Sequence, residues 1–267
     1  MCLTPTYATR VFMARENVES MTNTSQLVGK SAVVTGGSRG IGLATATALR
    51  SAGAGVLICG RSRDALETAA ARIATAPAVA SAGRVFTAVA DVRDPEQAHL
   101  LVASAVQQLG GLDILINNAG VGRFSPLVDL TIEDWRETVD TNLSGGFYCC
   151  RAAIPVMKRC GGGWIINVSS LAGEHPFAGG TAYCTSKAGL NAFTEALMQE
   201  VRSDGIRVSC VLPGSVDTEF AGNDPAEDAG WKLSASDVAQ TVVDLLRHPP
   251  RSLPSRVELR PSMPRKR

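Results

Sequence analysis

The chain has 267 residues, 45% hydrophobic and 19% charged, with a formal net charge of +1. That composition is the one of a soluble globular protein with an ample core, and it provides no field suited to nucleic acid, so no DNA or RNA partner is expected. Its seven cysteines show no CxxC or Cys/His spacing, which argues for reduced core thiols and against a metal centre.

No apolar run is long enough to span a bilayer, and the N-terminus lacks the apolar core of a secretory signal. A cytoplasmic location with no membrane partner is the expectation. Residues 1–28 are polar and without clear periodicity, so they are expected to form a disordered extension. A transit peptide is the alternative there, with Arg10 and Arg15 among threonines in its favour and Glu16 and Glu19 against it.

Ser31-Ala32-Val33-Val34-Thr35 reads as a short strand, followed by Gly36-Gly37-Ser38-Arg39-Gly40-Ile41-Gly42 and a small-residue helix over 43–51. Strand, glycine loop and helix together form a phosphate cradle: glycines let the backbone approach a pyrophosphate, and the helix N-terminus faces it. The spacing departs from G-x-G-x-x-G, but the flanking strand and helix supply the context that the motif requires. The next strand, Val56-Leu57-Ile58-Cys59-Gly60, ends where an NAD-specific fold places an acidic residue on the ribose hydroxyls. Gly60 has no side chain to do this, whereas Arg61 and Arg39 offer two guanidiniums for a 2′-phosphate. NADP (NADPH) is the expected cofactor and NAD the lesser alternative; two merely solvated arginines are the competing explanation.

Helix 63–76, strand 84–90, helix 95–109, strand 113–117 and helix 131–159 follow. Gly161-Gly162-Gly163 then introduces the core strand Trp164-Ile165-Ile166-Asn167-Val168. Strands alternating with helices imply an α/β fold with a doubly wound parallel sheet, and no linker divides residues 29–260. Ser170 stands at the carboxyl end of the 164–168 strand, the edge at which ligands gather in such sheets. Tyr183 and Lys187 lie one turn apart on a helix over 182–201. A free phenol titrates near ~10, so an ammonium beside it is expected to favour the phenolate and tune Tyr183 toward neutral pH. Apolar residues beyond a single stripe on helices 131–159 and 182–204, among them Phe147, Tyr148 and Phe193, predict a homodimer or homotetramer through those helices.

Taken together, Thr35 to Gly42, Asp91-Val92, Asn117-Asn118-Ala119-Gly120, Asn142, Ser170, Tyr183-x-x-x-Lys187 and Pro213-Gly214 resemble the short-chain dehydrogenase/reductases, specifically the single-domain kind similar to 3-oxoacyl-carrier-protein reductases. The resemblance covers about residues 28–260. It implies a Rossmann fold of seven strands in the order 3-2-1-4-5-6-7, the last two at 206–212 and 256–260. It implies that Asp91 and Val92 meet the adenine, that Asn118, Ala119 and Gly120 line the cofactor cleft, and that Val216 and Thr218 hold the nicotinamide carboxamide near Pro213 and Gly214. It also implies a ketone or secondary alcohol as substrate. Tyr183 would act as proton donor, Ser170 would hold the substrate oxygen, Lys187 would tune Tyr183 and bind the ribose, and Asn142 would place a water beneath Lys187. An NAD-dependent alcohol dehydrogenase and a catalytically silent NADP-binding regulator are the alternative functions. Two stretches depart from the family: residues 219–236 form only a short substrate loop, and 261–267 form a basic tail where many relatives have a glycine-rich turn. Phe124, His175, Phe177 and Trp231 are expected to flank the substrate, with His175 shaping the pocket, and the aromatic walls favour an apolar or aryl ketone.

Overall fold

The apolar residues of Ser31–Thr35 form the first strand, β1, buried at all five positions. The others are β2 (Gly55–Gly60), β3 (Val85–Val89), β4 (Ile114–Asn117), β5 (Gly163–Val168), β6 (Ile206–Pro213), β7 (Val216–Asp217), β8 (Leu233–Ser234) and β9 (Arg256–Leu259). This computed structural model describes residues 27–220 and 230–263; the expectations for residues 1–26, for 221–229 of the substrate loop and for 264–267 lie outside the described residues.

Seven strands form one parallel sheet in the order β3-β2-β1-β4-β5-β6-β9, the doubly wound arrangement expected, while β7 and β8 pair separately. The helices are α1 (Gly40–Ser51), α2 (Arg63–Thr75), α3 (Pro95–Leu109), α4 (Ile132–Val139), α5 (Gly145–Arg159), α6 (Thr181–Val201) and α7 (Ala235–Leu246). Alternation along the strands builds two cores. Ala32, Val34, Val56, Ile58, Ile114 and Ile116 face Leu43, Leu49, Leu66, Val238 and Val242 of α1, α2 and α7. Val33, Leu57 and Leu115 face Leu101, Val102, Cys149, Met157 and Leu197 of α3, α5 and α6. Burial on both faces explains why these strands read as continuous apolar runs.

The single helix expected over 131–159 is a correction. The structure has α4 and α5 joined by a π-turn at Asp140–Ser144. Hydrophobic period does not distinguish a turn closed at i−5 from one closed at i−4, and π-turns concentrate at functional positions. Here the wide turn carries Asn142, and Gly145 beyond it lies so close to β3's following loop that a Cβ would stand 2.8 Å from Val92 Cγ2. Among the described residues no helix is long and apolar enough to cross a membrane.

Candidate active site

The sheet order reverses between β1 and β4, and the carboxyl ends of β1, β2, β4, β5 and β6 open there onto a cleft of about 290 Å³. One half of the cleft is the glycine loop. Gly36 has φ +63°, and a Cβ on it would lie 2.9 Å from Ala119 Cα. A Cβ on Gly42 would lie 2.2 Å from the Gly36 carbonyl oxygen, so both positions need the bare backbone. The loop is stitched to β4: Thr35 Oγ1 accepts from Asn118 N at 2.9 Å and Ala119 N at 3.0 Å. Asn118 Nδ2 donates to the carbonyls of Thr35 and Gly36 at 3.0 and 3.2 Å. The side chain of Asn118 therefore holds the turn itself. Helix α1 begins without a side-chain cap and with no acidic residue in its first turn, which leaves its N-terminal amides available to an anion.

Around the cleft stand Gly36, Ser38, Arg39, Gly40, Ile41, Arg61, Asp91, Val92, Asn118, Ala119, Gly120, Pro213, Gly214, Val216 and Thr218, together with Ser170, Tyr183 and Lys187. Gly42 and Asn142 lie behind its wall. Arg61 Nη1 sits 3.6 Å from Glu137 Oε1, and Arg39 Nη1 sits 3.6 Å from Glu219 Oε2, both pairs too long for a hydrogen bond. The Asp91 carboxylate is held by Arg93, which keeps its pKa below the usual value.

At the other half, Ser170 leaves β5 in extended conformation and its Oγ accepts from Ala172 N at 3.1 Å, leaving its own O–H to donate. Tyr183 and Lys187 come from successive turns of α6. Lys187 is 4% exposed and its ammonium donates to the Val168 carbonyl at 2.9 Å. Burial brings it down to about 8. Its Nζ is 5.8 Å from the Tyr183 ring centroid. The expected lowering of the phenol is a further correction: burial raises Tyr183 above its ordinary value, and the Ser170 hydroxyl opposes that rise without reversing it. Asn142, 2% exposed, bonds to both backbone groups of Val121, accepting from N at 2.8 Å and donating to O at 2.9 Å, and donates to Ser186 Oγ at 3.0 Å. Gly120 lies between it and the lysine, since a Cβ there would be 3.3 Å from Asn142 Oδ1 and 3.7 Å from Lys187 Nζ.

The surroundings of Tyr183 are aromatic. Phe124 meets Tyr183 edge-on with centroids 5.5 Å apart, and Phe177 packs on Phe124 at 5.7 Å. Phe220 lies 5.6 Å from Tyr183 and lines the cleft; sequence reasoning missed it because it sits in a loop without periodicity. None of the four residues expected to flank the substrate borders the cleft itself: Phe124 is joined to it through Tyr183 and Phe177 through Phe124, while His175 and Trp231 stand apart from it. His175 is exposed and its Nε2 faces Arg260 Nη2, just beyond β9, at 3.1 Å. Trp231 is half-buried on the approach to β8.

Residues 30–229 match the family described as short chain dehydrogenase. An uncharacterised oxidoreductase of Staphylococcus aureus strain MRSA252 is 34% identical over 235 residues, 88% of this chain and 98% of that one. A 3-oxoacyl-[acyl-carrier-protein] reductase of Chlamydia muridarum is 37% identical over 196 residues, covering 73% and 77% of the two chains. Among solved structures, an alcohol dehydrogenase from the archaeon Thermococcus sibiricus, complexed with 5-hydroxy-NADP, superposes with a TM-score of 0.81 at 29% identity, covering 89% of this chain and 99% of that one. A metagenomic short-chain oxidoreductase in complex with NADP gives 0.76 at 34% identity over the same shares, 89% and 99%. By sequence across most of its length and by sheet topology, the chain belongs to the short-chain dehydrogenase family and is an oxidoreductase.

Proposed function

We propose that the protein interconverts a ketone and a secondary alcohol, with NADP(H) as cofactor and Tyr183 as the proton donor and acceptor. The observation that carries this reading is one cleft holding both a glycine cradle and the Ser170, Tyr183 and Lys187 group. The cradle fits a dinucleotide: Gly36 and Gly42 have no room for a Cβ, and the α1 amides face the same space as Ser38, Gly40 and Ile41. Arg39 and Arg61 would take the 2′-phosphate, exchanging their loose carboxylate neighbours for it, since no acidic side chain stands at the end of β2. Asp91 and Val92 would border the adenine, Asn118, Ala119 and Gly120 the middle of the cofactor, and Pro213, Gly214, Val216 and Thr218 the carboxamide.

When bound, the reduced nicotinamide supplies a hydride to the carbonyl carbon. Tyr183 gives its proton to the carbonyl oxygen, and a phenol raised by burial carries that proton at neutral pH. Ser170 donates to the same oxygen and fixes its position. Lys187, titrating at about 8, stabilises the phenolate left behind and hands on a replacement proton. Asn142 spends its carboxamide on Val121 and Ser186, so the main chain of its π-turn is what remains to hold a relay water beneath Lys187. Phe124, Phe177 and Phe220 suit an apolar or aryl ketone. The test is a panel of aryl and alkyl ketones with NADPH and with NADH, followed by the absorbance of the reduced nicotinamide. On the best substrate, Tyr183→Phe should lower turnover by about 10²-fold or more while NADPH affinity stays unchanged. Activity within about threefold of the parent removes Tyr183 from the proton step.

A further inference from the structure

A chain of buried polar side chains runs from α6 through β5 to β4, and its donor directions are fixed by its first member. Thr194 Oγ1 donates to the Leu190 carbonyl at 2.6 Å, so it accepts from Asn167 Nδ2 at 2.8 Å. Asn167 Oδ1 then accepts from Asn117 Nδ2 at 2.9 Å, and the second hydrogen of that amide points to Cys150 Sγ at 3.2 Å. Turning either amide over would set two acceptors against each other. Asn117 Oδ1 is thereby left without a donor, although Asn117 is only 6% exposed. A buried carbonyl oxygen in that condition is costly unless something donates to it.

Asn117 borders an internal cavity of about 10 Å³ that is also lined by Thr35, Thr141, Asn142 and Gly146. That volume is the room of a single water, and neither Tyr183 nor Lys187 borders it. The opposite wall is the π-turn, where Gly145 N reaches back to the Asp140 carbonyl. A switch from i−4 to i−5 pairing skips one main-chain carbonyl, which gives a water a second acceptor. We infer that this cavity binds one internal water, which donates to Asn117 Oδ1 and to the main chain of the π-turn, making Asn117 a positioning residue for Asn142. Asn142 clamps Val121 in both directions, and Ser186, its other partner, donates to the Tyr183 carbonyl at 2.8 Å. The water thus joins β4 to the turn that supports the floor of the proton site. Its effect on turnover rests on the role proposed for Asn142 above; the water itself does not.

The experiment is a high-resolution crystal structure of the full chain beside that of Gly146→Ala. A methyl on Gly146 meets only Leu190 Cδ1, at 3.5 Å, so it fits while filling the cavity. The parent should show one ordered water within hydrogen-bond distance of Asn117 Oδ1, and Gly146→Ala should lack it. In kinetics, Gly146→Ala should lower kcat about tenfold, the effect of one lost buried hydrogen bond, and shift the pH profile of kcat with KM for the cofactor unchanged. An empty cavity in the parent overturns the water site. A water that is present and displaced without change in kcat or its pH profile overturns the positioning role. If Asn142→Ala leaves turnover intact while the density still holds the water, the relay proposed for Asn142 fails and the water site stands.

Discussion

Replacing Lys187 by Met should make stability depend on pH differently from the parent. Lys187 titrates at about 8 in the folded chain against 10.5 for a free lysine, because burial disfavours its charge. Below about 8 both states hold the proton, and the cost of burying the ammonium is fully present. Between there and 10.5 the unfolded chain binds the extra proton, so this group makes stability rise with pH. Above 10.5 the cost is gone. At about 1.4 kcal/mol per pH unit, the drop corresponds to about 3 kcal/mol. The parent alone will not display it. Burial raises Cys59 and Cys150 to about 12 and Cys210 to about 11, and Cys149 also moves upward. Those thiols contribute stability that is present below their unfolded pKa and lost as pH rises toward the folded values, and four of them outweigh one lysine. The lysine is isolated only as the difference between parent and Lys187→Met, both of which carry the same thiols. Urea midpoints at pH 7.5, 8.5, 9.5 and 10.5 should show Met favoured at the low end and its advantage shrinking by about 3 kcal/mol across the series. A gap constant to within about 0.5 kcal/mol would refute the depressed ammonium.

Gly42→Ala should abolish the loop's fit, because the new methyl would stand 2.2 Å from the Gly36 carbonyl oxygen; displacement of that order should weaken NADPH binding about 10²-fold, read by nucleotide fluorescence, and an unaltered titration contradicts the cradle. Arg61→Ala should weaken NADPH by about 1.5–3 kcal/mol and NADH little, with Gly60→Asp added to favour NADH; equal losses for both cofactors leave Arg61 no part in 2′-phosphate recognition. Phe220→Ala should redistribute kcat/KM among ketones by about 1–3 kcal/mol, and a uniform change across the panel would remove Phe220 from the substrate wall. His175→Ala should leave the pH profile of kcat intact, since His175 faces Arg260 outside the cleft; a titration that disappears with it would bring the imidazole into the relay.

The central strands were legible because they are apolar runs buried on both faces and bounded by glycine or polar residues, as at Ser31–Thr35 and Gly163–Val168, whereas the edge strands β3 and β9 are only partly buried. The glycine loop was legible because close backbone approach excludes side chains, and that requirement leaves its mark in composition. What escaped was of another kind. The π-turn keeps the helix's polarity pattern while changing its hydrogen bonding. The spacing of Tyr183 and Lys187 places them on one face but says nothing about whether water reaches them, and burial decides the titration of both. His175 follows the serine closely in sequence, yet Arg260, just beyond a strand distant in sequence and itself bonded to Glu258, is the group its ring faces.

The seam where the cleft opens joins β1 to β4, with Ala32 beside Ile114 and Val34 beside Ile116. A chain emerging from a ribosome therefore completes the glycine loop and α1 long before β4 arrives to hold them. Until then Asn118 is missing as the clamp on Thr35 and Gly36, and the loop has no floor. Nascent chains ending before residue 118 should be unable to retain a nucleotide, so cofactor capture belongs to the late part of synthesis, and premature termination leaves the apolar edge of β1 open to aggregation.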